Sequence, residues 1–306
     1  MRLERPGEDS RSGPRWGRGS FGCGVLGIVK DSIAQGGSMP TARAIDGPEL
    51  WYGIEGAGLP VVLVPGRGDS SDLFPRCLTD VVTSAGFSVV RMDPRDTGLS
   101  GDGGDDYTMS TLAADVVTVM DHGGIDRAHM VGFSMGGIVL VDLASRWPER
   151  VLSCSFVSAL SPDPDAGFGE QFFSSMEQDD AATAMLAAMG SPTEDDRVWL
   201  GEELLRSLER ARARPEAAFR HQAAAFRLGW PELTTLGEID VPGLVIHGIG
   251  DQTLPIAHAE AFEHGMPHCH AEYIDGMGHL PTRKEWEQIA RLVVSHLRNV
   301  SSASAP

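Results

Sequence analysis

"AHMVGFSMGGIVLVDLASRWPER", residues 128–150, places a serine between two glycines where an apolar run turns into a helical pattern. Residues 128–133 are almost wholly apolar, as in a strand buried on both faces. Residues 135–147 carry apolar side chains at helical spacing and are closed by Pro148. Gly132-Phe133-Ser134-Met135-Gly136 therefore reads as a tight strand-to-helix turn. A Cβ at either glycine would collide across such a turn, which lifts the serine hydroxyl out of the sheet. The bland alternative is a serine that merely caps the helix.

The alternation extends to both sides of this stretch. "ARAIDG" (42–47) and "ELWYGIEG" (49–56) alternate like a short antiparallel hairpin, and "PVVLVPG" (60–66) reads as a buried parallel strand. A helix is expected over about Asp72–Ala85, followed by the strand "FSVVRMD" (87–93). Met109, Leu112, Ala113, Val116, Val117 and Met120 then mark a helix that Gly123-Gly124 stops. "VLSCSFVSA" (151–159) is a further strand. From about Ser161 to Leu236 strand signals cease, leaving helical stretches such as "VWLGEELLRSLERARA" and "PEAAFRHQAAAFRLGW". Strand and helix return with "VPGLVIHG" (241–248), "PIAHAEAFEHGM", "HAEYIDG" and "KEWEQIARLVVSHLRN".

The fold class is therefore α/β, a doubly wound, mostly parallel sheet with a helical cap insertion. Residues 39–160 and 237–300 form the core, 161–236 the cap, and 301–306 a flexible tail. Residues 1–38, rich in Arg, Gly and Ser, read as a disordered extension or as a start assigned ahead of Met39. "FGCGVLGIV" from Phe21 is too short and glycine-broken to make a convincing export signal.

Composition narrows the function. A formal charge of −18 repels polyanions, so neither nucleic acid nor an anionic membrane is the expected partner. No apolar run reaches the roughly 18–20 residues a bilayer span requires. Cys23, Cys77, Cys154 and Cys269 are scattered without a C-x-x-C pair, which points to a reducing cytoplasm and away from a zinc site.

A serine hydroxyl needs a base to become a nucleophile, and the base needs an orienting acid. Asp251 in "HGIGDQTLP" follows the strand "GLVIH", and His279 in "IDGMGHLP" follows the next strand. Ligands of parallel sheets bind at strand carboxyl ends, so Ser134, Asp251 and His279 converge on one edge. Asp163 and Asp165 are alternative acids, and His247 is a support for the Asp251 loop. Oxyanion donors are expected from the amide of Met135 and from that of Arg67, in the loop after "VVLVPG".

Together these residues resemble the α/β-hydrolase superfamily from about Glu49 to Asn299. "RMDPRDTGLS" (91–100) and "LAADVVTVMDHGGIDRAHMVGFSMGG" (112–137) look most like aclacinomycin methylesterase-type esterases of actinomycete polyketide pathways. The resemblance implies Ser134 as nucleophile, Asp251 as orienting acid and His279 as base. Pro65 departs from it, since many relatives carry His before the oxyanion glycine.

The expected activity is cleavage of a carboxylic ester of an apolar small molecule through an acyl-enzyme on Ser134, with neither cofactor nor metal. Phe172, Phe173 and Trp199 of the cap are expected to line the pocket. Alternatives are an enol-lactone or C–C bond hydrolase or a cofactor-free perhydrolase with the same triad, and a non-catalytic ligand receptor. Apart from substrate, the one partner entertained is a second copy in a homodimer.

Overall fold

The elements of the core follow from where apolar runs stop. In the computed structural model, residues 40–45, 47–104, 106–169, 186–210, 220–225 and 231–303 are described. Eight strands form one sheet: β1 (Thr41–Arg43), β2 (Glu49–Gly56), β3 (Pro60–Val64), β4 (Ser88–Met92), β5 (Ala128–Phe133), β6 (Val151–Val157), β7 (Gly243–Gly248) and β8 (Cys269–Ile274). Their spatial order is β1-β2-β4-β3-β5-β6-β7-β8. β2 pairs antiparallel with β1 and β4, and every later pair is parallel.

β5 and β7 are buried along their whole length, as expected of strands covered on both faces. Two apolar clusters provide the cover. One packs the helices α2 (Met109–His122), α3 (Met135–Arg146) and α5 (Ala257–Gly265) on one face. The other packs α1 (Arg76–Ser84) and α6 (Arg283–Ala303) on the opposite face, around Trp286 and Phe74. Among the described residues no helix is long and apolar enough to cross a membrane.

Of the boundaries that differ from the expected ones, two have a clear local reason. The helix expected over Asp72–Ala85 is split into a 3-10 turn at Ser71–Leu73 and α1 from Arg76. Pro75 causes the break, because a proline disfavours helical backbone in the residue before it. β6 ends at Val157 because Ser158 adopts φ 42, outside the extended region.

The cap is not purely helical where it is described. α4 (Glu194–Arg210) and a helical turn at 220–225 are present. Ahead of them, Gly190 forms an isolated antiparallel bridge with Met277, and Leu280 N–H donates to the Ala188 carbonyl at 2.9 Å. Residues 188–190 of the cap thus brace the loop that carries His279.

Candidate active site

The turn after β5 has the geometry that its glycines permit. Ser134 sits at φ 52, ψ −118, a conformation costly for a residue with a side chain. A Cβ on Gly132 would approach the Gly136 carbonyl carbon and oxygen to 2.8 Å, and one on Gly136 would collide with the Val64 carbonyl. β3, β5 and α3 therefore meet backbone to backbone. Gly137 N–H and Leu160 N–H both donate to the Ser134 carbonyl at 2.9 Å, which locks the turn. Ser134 Oγ then stands at the N-terminus of α3, where unpaired amides and the helix dipole favour negative charge.

His279 lies between Ser134 and Asp251. Its Nε2 is 3.1 Å from Ser134 Oγ, and its Nδ1 is 2.8 Å from Asp251 Oδ2. Asp251 divides its oxygens: Oδ1 accepts the Thr253 and Leu254 amides at 2.8 Å each, leaving Oδ2 for the imidazole. Burial pushes this carboxyl's pKa up, but the adjoining His279, His247 and the Leu254 amide outweigh it, so the net shift is downward. Asp251 is thereby held ionised. The Phe133 ring lies 5.2 Å from the His279 ring and covers it on one side.

His247 supports the Asp251 loop, donating from Nε2 to the Leu254 carbonyl at 3.1 Å, with Asp251 Oδ2 3.8 Å away. Burial lowers its pKa and keeps it neutral. The alternative acids stand elsewhere: Asp163 accepts the Asp165 amide, and Asp165 is exposed. Nearby, His258 clamps the chain leaving β6, meeting Ser161 Oγ at 2.9 Å and donating to the Gly167 carbonyl at 2.8 Å.

The loop after β3 closes on the serine. Asp69 N–H donates to the Gly66 carbonyl at 3.3 Å, and Gly68 has φ 78, as the third position of a type II turn requires. A Cβ on Gly66 would lie 3.3 Å from Ser134 Cβ and 2.8 Å from Asp69 Oδ2. Gly66 thus lies beside the nucleophile, with Arg67 next in the loop and Met135 at the start of α3. Trp199 is half-buried and packs against the cluster that contains Trp286 and Phe133. Phe172 and Phe173 lie outside the described residues, as do residues 1–38 and much of the cap.

Three further residues of this region are buried or half-buried polar groups, none of them part of a catalytic motif in the sequence. Asp69 is one: burial pushes its carboxyl up to about 6, against the pull of His279 and Arg67. The others are His221 and Gln222, the only polar residues in "HQAAAF", a pattern that marks a buried polar pair on an apolar helix face. Among the described residues, Asp96, Asp102 and His221 bring potential metal-ligating atoms within 4.8 Å. His221 Nδ1 already meets Asp96 Oδ2 at 3.0 Å.

Known proteins share this arrangement of chain. Rhodomycin D methylesterase DnrP of Streptomyces peucetius is 28% identical over 296 residues, covering 85% of this chain and 99% of that protein. The crystal structure of the esterase RhEst1 from Rhodococcus sp. ECU1013 superposes with a TM-score of 0.71 at 25% identity, covering 84% of this chain and 98% of its own. The meta-cleavage product hydrolase CumD of Pseudomonas fluorescens IP01 matches at TM-score 0.69 and 21% identity, over 85% and 97% of the two chains, a likeness of fold alone. The profile of the alpha/beta hydrolase fold matches residues 60–281, nearly the whole span from β3 to the His279 loop. With the sheet order, the turn at Ser134 and this match agreeing, the chain belongs to the alpha/beta hydrolase fold family.

Proposed function

We propose that this chain is a serine hydrolase that cleaves a carboxylic ester of an apolar small molecule. The observation that carries the reading is the continuous relay from Ser134 Oγ through His279 to Asp251, at 3.1 and 2.8 Å. His279 Nε2 takes the hydroxyl proton as Ser134 Oγ attacks the ester carbonyl. The Arg67 and Met135 amides receive the oxyanion, aided by the α3 N-terminus. On collapse His279 returns the proton to the departing alcohol. It next deprotonates a water that attacks the acyl-Ser134 carbonyl, and the acid leaves as serine regains its proton.

Similarity to a methylesterase and an esterase supports the ester as the bond cleaved. The aromatic cap sequence supports an apolar substrate. Cys77, Cys154 and Cys269 are free thiols, which favours a cytoplasmic setting.

The test is direct. A fluorophosphonate probe should add its mass to Ser134, and Ser134→Ala should lose roughly 10⁶-fold in kcat on the best substrate of an aryl and alkyl ester panel. Ser134→Ala hydrolysing that ester at near the native rate would end the reading. Turnover of an enol-lactone or a vinylogous diketone, with no ester cleaved, would redirect it to the other bond types the relay can serve.

A further inference from the structure

The helical turn at 220–225 reaches into the core with one face. His221, Gln222 and Ala225 are buried while Arg220 is exposed, the i, i+1, i+4 pattern of a helix face laid on a surface. Ala225 joins the apolar cluster that contains Met135 and Leu254. Each of the two polar residues meets a hydrogen-bonding partner in the core. His221 Nδ1 meets Asp96 Oδ2 at 3.0 Å. Gln222 Oε1 accepts the Gly68 amide at 2.6 Å, across 154 residues of chain.

Both core partners sit where the backbone is constrained. Asp96 adopts φ 70, a conformation that costs a non-glycine residue about 1–2 kcal/mol. Its other oxygen accepts the Gly103 amide at 2.6 Å, so the carboxylate is held in place to receive His221. Gly68 is the positive-φ residue of the Gly66–Asp69 turn, next to the Arg67 amide assigned to the oxyanion. A turn made of two glycines has little intrinsic stiffness. It is closed by the 3.3 Å bond from Asp69 N–H to the Gly66 carbonyl.

We propose that Gln222 is a positioning residue for the oxyanion loop: through Gly68 it fixes the turn that aims the Arg67 amide, once the His221–Asp96 contact seats the cap. The proposal rests on the serine-hydrolase reading and deepens it. By drawing the Gly68 N–H outward, Gln222 leaves the Arg67 amide as the loop's donor to the reacting oxygen. The cap then completes the machinery as well as covering it, and substrate that prevents the cap from seating is turned over poorly. The carboxamide orientation follows from its partner, because only an oxygen can accept from Gly68. Among the described residues the Gln222 Nε2 is buried without a partner, so an exchange of Nε2 for oxygen breaks no bond to them.

That asymmetry supplies the experiment. Gln222→Met keeps length and apolar bulk but cannot accept the Gly68 amide. Loss of an oxyanion donor costs roughly 10²–10³ in kcat, and a misaimed donor should cost about 10–100-fold, with KM changed less than about threefold. Gln222→Glu retains an acceptor for Gly68 in either protonation state but adds a negative charge near the oxyanion when ionised. Its kcat relative to wild type should therefore rise as pH is lowered from 8 to 6. Asp69, Arg67, His279, His221, Asp96 and Asp102 face this region in both proteins, and comparison at equal pH removes their common contribution.

Thermal melts and fluorophosphonate labelling of Ser134 accompany each variant. Folded Gln222→Met with native kcat, or with its whole loss in KM, overturns the proposal. If Gln222→Met does not fold, Gln222→Glu decides, and a pH-independent ratio overturns it. Failure of the probe to label wild-type Ser134 instead overturns the hydrolase reading beneath.

Discussion

At the scale of single residues, the division of labour within Asp251 is the most consequential detail. One carboxylate oxygen is committed to two backbone amides and the other to His279, so the acid cannot rotate away from the imidazole. Replacing it by Asn keeps the shape but offers the imidazole an amide, which favours the wrong tautomer. Asp251→Asn should therefore lower kcat by roughly 10⁴-fold with little change in Tm, measured by steady-state kinetics and thermal melts. Asp163→Asn, whose carboxylate braces the Asp165 amide away from His279, should stay within a few-fold of wild type. A large loss at Asp163 would transfer the role of acid to the chain after β6.

At the scale of elements, the site depends on three backbones meeting without side chains between them. β3 and α3 are separated at Gly136 by less than a methyl group needs, since its Cβ would strike the Val64 carbonyl and lie 3.0 Å from that of Pro65. Gly136→Ala should therefore push α3 off β3, at a cost of about 3 kcal/mol or more. For a domain of this size the loss corresponds to a fall in Tm of roughly 6–12 °C. Activity should fall with it, because Ser134 is carried on the same turn. Gly201, inside α4 with open space around its Cβ position, is the matched control. Gly201→Ala should be neutral or stabilise by about 1 kcal/mol, through helix propensity. Differential scanning fluorimetry of the two variants separates steric contact from the loss of a glycine as such.

Over the whole molecule, burial of ionisable groups sets how stability responds to pH. His129 and His296 are both pushed down to about 4 by burial, and each also opposes the other's charge or that of His270. A histidine depressed in the folded state takes up its proton more readily when unfolded, so its contribution is present above about 6.5 and is lost as pH falls toward 4. Asp69 has the opposite sign. Its carboxyl, raised to about 6, favours folding below that pH and opposes it above. Two histidine shifts outweigh one carboxyl shift of similar size, so Tm should fall between pH 6.5 and 4. His129→Gln together with His296→Gln should flatten that slope. Asp69→Asn should steepen it, and melts across the interval would expose a sign error in either assignment.

Chain order alone determined much of this protein. An apolar run before Ser134 and a helical pattern after it could arise only at a strand-to-helix turn, and the same logic put Asp251 and His279 after their strands. Those signals are local: they span a few residues, and side-chain periodicity reports them directly. The helix expected from Asp72 begins only at Arg76, because the effect of Pro75 outweighs the apolar pattern around it. What tertiary structure decided lies at long range. That Asp251, and neither Asp163 nor Asp165, meets His279 is a matter of which loops the sheet brings together. The cap's bond from Gln222 to Gly68, its His221–Asp96 contact and the brace of Gly190 on Met277 join segments far apart in the chain. Periodicity carries no record of such pairs, because they form only when separate helices and loops are packed on one sheet edge and buried polar atoms must find partners there.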